Sequence, residues 1–235
     1  MSIYHLHIPR TSGAYIRNNI LPDLISKDIE HFASNRSIID VDQISRSKLV
    51  IGHFGRMPLK YMDSPKVFCL LRDPVERYIS YFKYTTGFVT GQEKAEENLE
   101  QWLYKDQSKV QGNLQSKFLT GSTDVSLFNS YIKDSQDPFI DNLWHLQDYS
   151  LDIDKIKESM SEMNVYTMEN YDKFKFDFSE EIKKQFGFNA FKHSDKANES
   201  PAVRVEINES HKKVIKDLNQ VDCEIYDYVR KTEKR

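Results

Sequence analysis

Four short apolar runs punctuate the chain: Ile3–Ile8, Leu49–Gly52, Val67–Leu71 and Val165–Met168. Each is followed by a stretch whose apolar residues recur at helical spacing. Short runs of this kind suit strands buried on both faces, so the pattern predicts an α/β fold with a central parallel β-sheet flanked by helices. Ser37–Val41 reads as a fifth strand. A helix is expected from near Ser12 to about Ile20, ended by Pro22. Another opens at Pro74 with Asp73 as its N-cap. On it Val75, Tyr78, Ile79 and Phe82 fall at i, i+3, i+4 and i+7, a buried stripe. A last helix over Glu209–Arg230 aligns Val214, Leu218, Val221, Ile225 and Tyr228. That stripe spans too few heptads for a coiled-coil seam and reads as core packing.

Two stretches break the rhythm. Gly87–Lys109 is polar, charged and interrupted by glycines, and reads as an insertion (87–110) or a weakly packed helical excursion. Phe186–Asn208 contains Gly187 and Pro201 and reads as a long loop (187–208), a length uncommon in a compact domain unless it has a function. No shift in composition marks a linker, and no repeat or low-complexity tract is found, so residues 1–235 are expected to form one domain.

Composition narrows the picture. With 39% hydrophobic residues among 235, the chain can bury a core. A net charge of -3 gives no global attraction to nucleic acid or to an anionic membrane, so any anion site must be local. Cys69 and Cys223 are far apart and match no zinc or redox spacing; Cys69, inside an apolar run, reads as a buried thiol. No metal site is expected. The N-terminal residues lack the basic start and long apolar stretch of a signal, and no run reaches the roughly 18 apolar residues of a membrane helix. A cytoplasmic protein without a membrane span is expected.

Candidate chemistry clusters after the strands. Pro9-Arg10-Thr11-Ser12-Gly13-Ala14-Tyr15 joins the first strand to a helix. Such a turn makes an anion cradle from helix N-terminal N–H groups, with Gly13 permitting close approach, Thr11 and Ser12 adding hydroxyls and Arg10 a permanent charge. The same residues also suit an ordinary capped turn. It is not a Walker A loop, which needs a lysine and a hydroxyl after its second glycine. Further on, Arg72 ends a strand and Ser80 lies about two helical turns into the next helix, close to the same face. One phosphate fits between them with Arg77 nearby, although a capped helix with a solvated Arg77 has the same sequence. His53, in Ile51-Gly52-His53-Phe54-Gly55-Arg56, stands at the end of another strand, as a packed histidine or as a base. In a parallel sheet all strand C-termini share one edge, and ligands bind outside it. Arg10, His53 and Arg72 are therefore expected in one crevice.

These segments resemble a known family. Pro9-Arg10-Thr11-Ser12-Gly13-Ala14 is similar to the 5′-phosphosulfate loop of sulfotransferases, P-K-[TS]-[GS]-[GST]. Arg72-Asp73-Pro74-Val75-Glu76-Arg77-Tyr78-Ile79-Ser80-Tyr81 resembles their 3′-phosphate motif, R-D-P-x-x-R-x-x-S-x-[YF], and the two occur in the expected order. Ile51-Gly52-His53-Phe54 is similar to the histidine-bearing strand end of the carbohydrate-type branch. Asn113–Gly121 resembles a segment common in bacterial-type members. The resemblance implies a P-loop-nucleotide-fold-like core and the sulfate donor 3′-phosphoadenosine-5′-phosphosulfate (PAPS), with the bisphosphate PAP as product. By position, Arg10, Thr11, Ser12, Gly13, Ala14 and Tyr15 would hold the 5′-phosphosulfate, Arg72 and Ser80 the 3′-phosphate, and His53 would take the acceptor hydroxyl proton. The chain departs from the pattern at Arg10, where lysine is usual; arginine keeps the charge but brings a wider fork that holds its proton.

The expected reaction is in-line transfer of a sulfuryl group from PAPS to a hydroxyl acceptor, a sugar or glycoconjugate by the likeness around His53, with charge stabilisation by Arg10 and the loop N–H groups. His7, Arg56, Asn113 and Gln115 are acceptor-side candidates, with core packing as the alternative for His7. Lys192, His193 and Lys196 lie in the late loop, as a cover for the donor or as a solvated stretch. Two rivals are an ATP-dependent small-molecule kinase, disfavoured by the missing Walker A loop, and a nucleotide-binding module without catalysis.

Overall fold

The computed structural model describes residues 2–34, 38–89, 99, 102–103, 111–134, 148–191 and 206–233. Its centre is a five-stranded, all-parallel sheet made of β1 (Ile3–Leu6), β2 (His31–Ser34), β3 (Leu49–Gly52), β4 (Lys66–Leu71) and β5 (Asn164–Thr167), in the order β2-β3-β1-β4-β5. β1 is the middle strand, pairing Ile3 with Leu49 on one side and with Lys66 on the other. All four of its residues are buried, as a strand covered on both faces requires.

Side-chain alternation divides the core in two. On one face Ile3, Leu49, Ile51, Phe68 and Leu70 pack against Ile16, Ile20 and Leu24 of α1 (Gly13–Ser26) and against α7 (Tyr171–Phe186). Phe174 and Phe178 of α7 are fully buried there, each stabilising by about 2 kcal/mol. On the other face Tyr4, Leu6, Val50, Val67, Cys69 and Leu71 meet α2 (Val41–Arg46), α4 (Leu114–Thr120), α5 (Val125–Asp134), α6 (Ile153–Ser161) and α9 (Gln220–Thr232). A third cluster joins Val75, Tyr78, Ile79 and Phe82 of α3 (Pro74–Val89) to Ile215 of α8 (Glu209–Leu218). Among the described residues no helix is long and apolar enough to cross a membrane.

The sheet and the α3 stripe follow the apolar pattern, and Asp73 caps α3, accepting from the N–H groups of Val75 and Glu76 at 3.0 Å. Three elements differ from the expectation. The fifth strand is His31–Ser34, not Ser37–Val41. Ser37 lies outside the described residues, and Asp40 instead caps α2 by accepting from Asp42 and Gln43. α1 does not stop before Pro22 but carries it inside and runs to Ser26. Burial of Leu24 offsets the roughly 3 kcal/mol that an interior proline costs. The last helix is broken at the buried Asn219 into α8 and α9, and Tyr228 turns outward. Most of the polar stretch 87–110 lies outside the described residues. Its Leu99 and Leu103 are buried against the α3 cluster, so that part is packed core rather than a loose excursion.

Candidate functional site

β1 is followed by α1 and then by β2 on one side of it; β4 is followed by helices and then by β5 on the other. Between neighbouring strands whose onward connections diverge, a crevice opens at the C-terminal edge. Arg10 follows β1 and Arg72 follows β4, so this sheet order delivers both arginines to that crevice. His53 follows β3, the other neighbour of β1.

The loop after β1 is tightly built. The Thr11 N–H and hydroxyl both donate to the Ile8 carbonyl, at 3.3 and 2.8 Å. Thr11 is therefore wholly buried and its hydroxyl is turned inward. Arg10 and Ser12 have φ of 71° and 66°, left-handed conformations that are uncommon outside glycine and collect at functional turns. Ser12 sits at the N-cap of α1 without a side-chain cap; its hydroxyl lies 3.6 Å from the Met168 sulfur. No acidic residue stands in the first turn, so the N-terminal dipole of α1 is not neutralised from within. Ala14 and Tyr15 continue that turn. The Tyr15 ring stacks on Phe191 at 5.9 Å and meets Tyr171 edge-on.

Gly13 is shaped by a neighbour. A Cβ there would lie 1.9 Å from the His7 imidazole. His7 is the first residue past β1, buried between His5 (ring centroids 5.6 Å) and His53 (4.2 Å). Burial, followed by the charges of His53, His5, Arg17 and Arg10, pushes the His7 imidazole well below its ordinary range, so it is neutral. His53 Nδ1 lies 2.9 Å from the His7 carbonyl oxygen. A carbonyl only accepts, so Nδ1 carries the proton and Nε2 is the basic nitrogen of the neutral ring. Phe118 packs edge-on to the same ring.

On the other side, Arg10 Nε donates to Ser80 Oγ at 3.1 Å, and the guanidinium carbon lies 4.7 Å from the centroid of the Tyr84 ring. Burial pushes Arg10 below the ordinary arginine range, the Tyr84 phenol works against this, and the nearby positive Arg72 adds to it. The Arg72 side chain is 3.5 Å from Glu76. Its backbone is held by an amide pair: the Arg72 N–H donates to Gln115 Oε1 at 2.9 Å, and Gln115 Nε2 donates to the Arg72 carbonyl at 2.8 Å.

The structure thus joins Arg10 to Ser80, places Arg72 after the strand beside β1, and packs His7, with the His53 ring beside it, against Gly13 of the loop. It gives the other candidates different employment. Gln115 supports the Arg72 backbone. Asn113, itself left-handed at φ 50°, accepts from the N–H groups of Val221 and Asp222 at the start of α9, while its own N–H donates to Asn219. Arg56 ties the turn after β3 to α6, donating to Ser159 and Glu162. Arg77 is fully buried rather than solvated and donates to Gln111. Cys69 is a buried thiol whose pKa burial raises, unsuited to nucleophilic work. Lys192, His193 and Lys196 lie outside the described residues.

Tyr84 was not singled out from the sequence, although its place four residues after Ser80 puts both on one helix face. Lys117 was also passed over. It is nearly buried, with its ammonium 5.4 Å from the Tyr149 ring, and burial lowers its pKa while Asp222 raises it. No family model matches the chain, and none of the curated proteins compared with it matches. Among the described residues no group of three or more histidine, cysteine or acidic side chains is arranged to hold a metal.

Proposed function

We propose that the chain is a PAPS-dependent sulfotransferase acting on a hydroxyl acceptor, with a sugar or glycoconjugate as the favoured class. The observation that carries this reading is the hydrogen bond from Arg10 to Ser80 at the switch point of the sheet, with Arg72 following one strand beside β1 and His53, its tautomer fixed, following the other. Arginine forks at the ends of two adjacent strands, one of them joined to a hydroxyl, suit a phosphate dianion, which accepts several N–H and O–H donors at once. The N-terminal N–H groups of α1 suit the second anionic group of such a donor.

The chemistry balances with these groups. The acceptor oxygen forms a bond to sulfur as the bond from sulfur to the 5′-phosphate oxygen breaks, and the leaving phosphate takes the electron pair. The acceptor proton passes to His53 Nε2, giving an imidazolium that later loses it to water. Charge on the leaving oxygen is met by the N–H groups at the α1 N-terminus.

Calorimetry with adenosine 3′,5′-bisphosphate beside ATP, followed by radiolabelled sulfate transfer to mixed glycans, tests the reading. Binding of ATP without the bisphosphate would reject it, and tight bisphosphate binding with no transfer would reduce the chain to a binding module. His53→Ala is expected to lower turnover about 10²- to 10⁴-fold with donor affinity nearly unchanged. Wild-type turnover in that variant would remove His53 as the base.

A further inference from the structure

Arg10 belongs to the loop after β1, yet its side chain is docked on α3. Three features hold it there. Its Nε–H is turned to Ser80 Oγ at 3.1 Å. Its guanidinium lies 4.7 Å above the Tyr84 ring, within cation–π range. Its backbone is held left-handed at φ 71°, which fixes where the side chain leaves the loop. Ser80 and Tyr84 are one helical turn apart on α3, so they form a two-point seat, a hydrogen-bond acceptor and an aromatic face.

Ser80 gains from this contact. Its oxygen accepts from a cation, so its own O–H proton is the donor it offers an anion, and a polarised hydroxyl donates more strongly. Arg72 follows β4, the strand beside β1, and its charge disfavours that of Arg10.

We propose that Arg10 is a specificity residue for the 3′-phosphate of the donor, sharing that group with Arg72 and Ser80, and that Tyr84 is the positioning residue that seats its guanidinium. This rests on the PAPS reading above, and it gives Arg10 a different task from the 5′-phosphosulfate contact that the family resemblance implies. Discrimination between a 3′,5′-bisphosphate and a 5′-monophosphate then depends on a residue of the first loop. Stabilisation of the leaving 5′-phosphate falls to the N–H groups of α1.

The test is calorimetric titration of the full chain with adenosine 3′,5′-bisphosphate and adenosine 5′-monophosphate, read as the ratio of the two affinities. A charge-assisted contact of about 1.5–3 kcal/mol corresponds to roughly 10- to 100-fold, so Arg10→Ala is expected to cut the ratio by about that factor by weakening the bisphosphate alone. Arg10→Lys keeps the charge but loses the fork and the stacking, and is expected to fall between the two; it serves in place of Arg10→Ala if that variant does not fold. Tyr84→Phe should keep the wild-type ratio, and Tyr84→Leu should lower it about 3- to 10-fold, as loss of roughly 1 kcal/mol of cation–π attraction implies. Equal weakening of both ligands by the Arg10 variants would overturn the proposal, because that is the signature of a 5′-phosphate reader. A wild-type chain without preference for the bisphosphate would instead overturn the donor reading, and this inference with it.

Discussion

Gly13 and His7 share one small volume, and the sharing links the proposed anion loop to the candidate base. The His7 carbonyl fixes the His53 tautomer, while the His7 ring fills the space where any side chain at position 13 would go. A Cβ at 1.9 Å cannot be accommodated unless the ring or the loop moves. Gly13→Ala is therefore expected to destabilise the fold by roughly 1–3 kcal/mol, the usual cost of overpacking. If the clash is with the ring, adding His7→Ala relieves it, and a double-variant cycle in urea should give a coupling of about 1 kcal/mol or more. Strictly additive effects would mean that the glycine is needed for another reason. The glycine was legible in the sequence as a position of close approach; that the close neighbour is an imidazole was not, because the contact depends on how far β1 extends before the turn.

At the scale of elements, the support for Arg72 comes from an unexpected direction. Asp222, at the start of α9, accepts from the N–H groups of Gln115 and Ser116 at 3.0 and 2.7 Å and from the Ser116 hydroxyl at 2.6 Å, capping α4 from another helix. Gln115 then holds the Arg72 backbone. Burial pushes the Asp222 carboxyl up, while the Ser116 hydrogen bonds and buried Arg77 pull it down. Asp222→Ala would leave two buried N–H groups unpaired and remove the carboxylate that most favours the buried Arg77 charge. A loss of roughly 3 kcal/mol in stability is expected, with weaker bisphosphate binding as Gln115 loses its anchor; wild-type binding and melting would show that α4 is held elsewhere. This network explains what the sequence pattern conveyed and what it did not. Apolar runs marked four strands and the α3 stripe because burial writes itself into composition. The break at Asn219 was hidden inside a continuous helical pattern, since it is held by Asn113, 106 residues away, whose N–H donates to Asn219 Oδ1 and whose Oδ1 accepts from Val221 and Asp222. β2 was missed for a related reason: at the sheet edge Phe32 is deeply buried while His31 and Ala33 are only partly so, and the strand leaves a weak trace. Arg10, His53 and Arg72 were legible because each follows a strand. The supporting roles of Asn113, Gln115 and Arg56 were not, since they depend on the backbone of distant segments.

For the molecule as a whole, the histidines of β1 make stability depend on pH. His5 is completely buried against Phe174 and Phe178, with neither ring nitrogen hydrogen-bonded among the described residues. Burial first, and then the charge of His53, push it down to about 3. His7, facing His53, His5, Arg17 and Arg10, is pushed in the same direction. Both are neutral in the fold, whereas in the unfolded chain each takes up a proton near its ordinary value of about 6.5. Below that pH the unfolded state binds more protons, so stability is fully present above about pH 6.5 and is lost as pH falls, for His5 down to about pH 3. Each group adds a slope approaching about 1.4 kcal/mol per pH unit. The carboxyls of Asp177 and Glu181 are held below their ordinary values, so their own losses come at lower pH. The buried Asp222 carboxyl is pushed up and opposes the histidine slope, so the histidine contribution is read between about pH 7.5 and 5 as the difference between wild type and a histidine variant, from urea unfolding at successive pH values. His5→Phe places an apolar ring beside Phe174 and Phe178 and removes one titrating group, so the slope should flatten by about one proton while stability at pH 5 rises. An unchanged slope would mean that His5 is reached by water or charged in the fold, and that the buried face of β1 is more open than its packing implies.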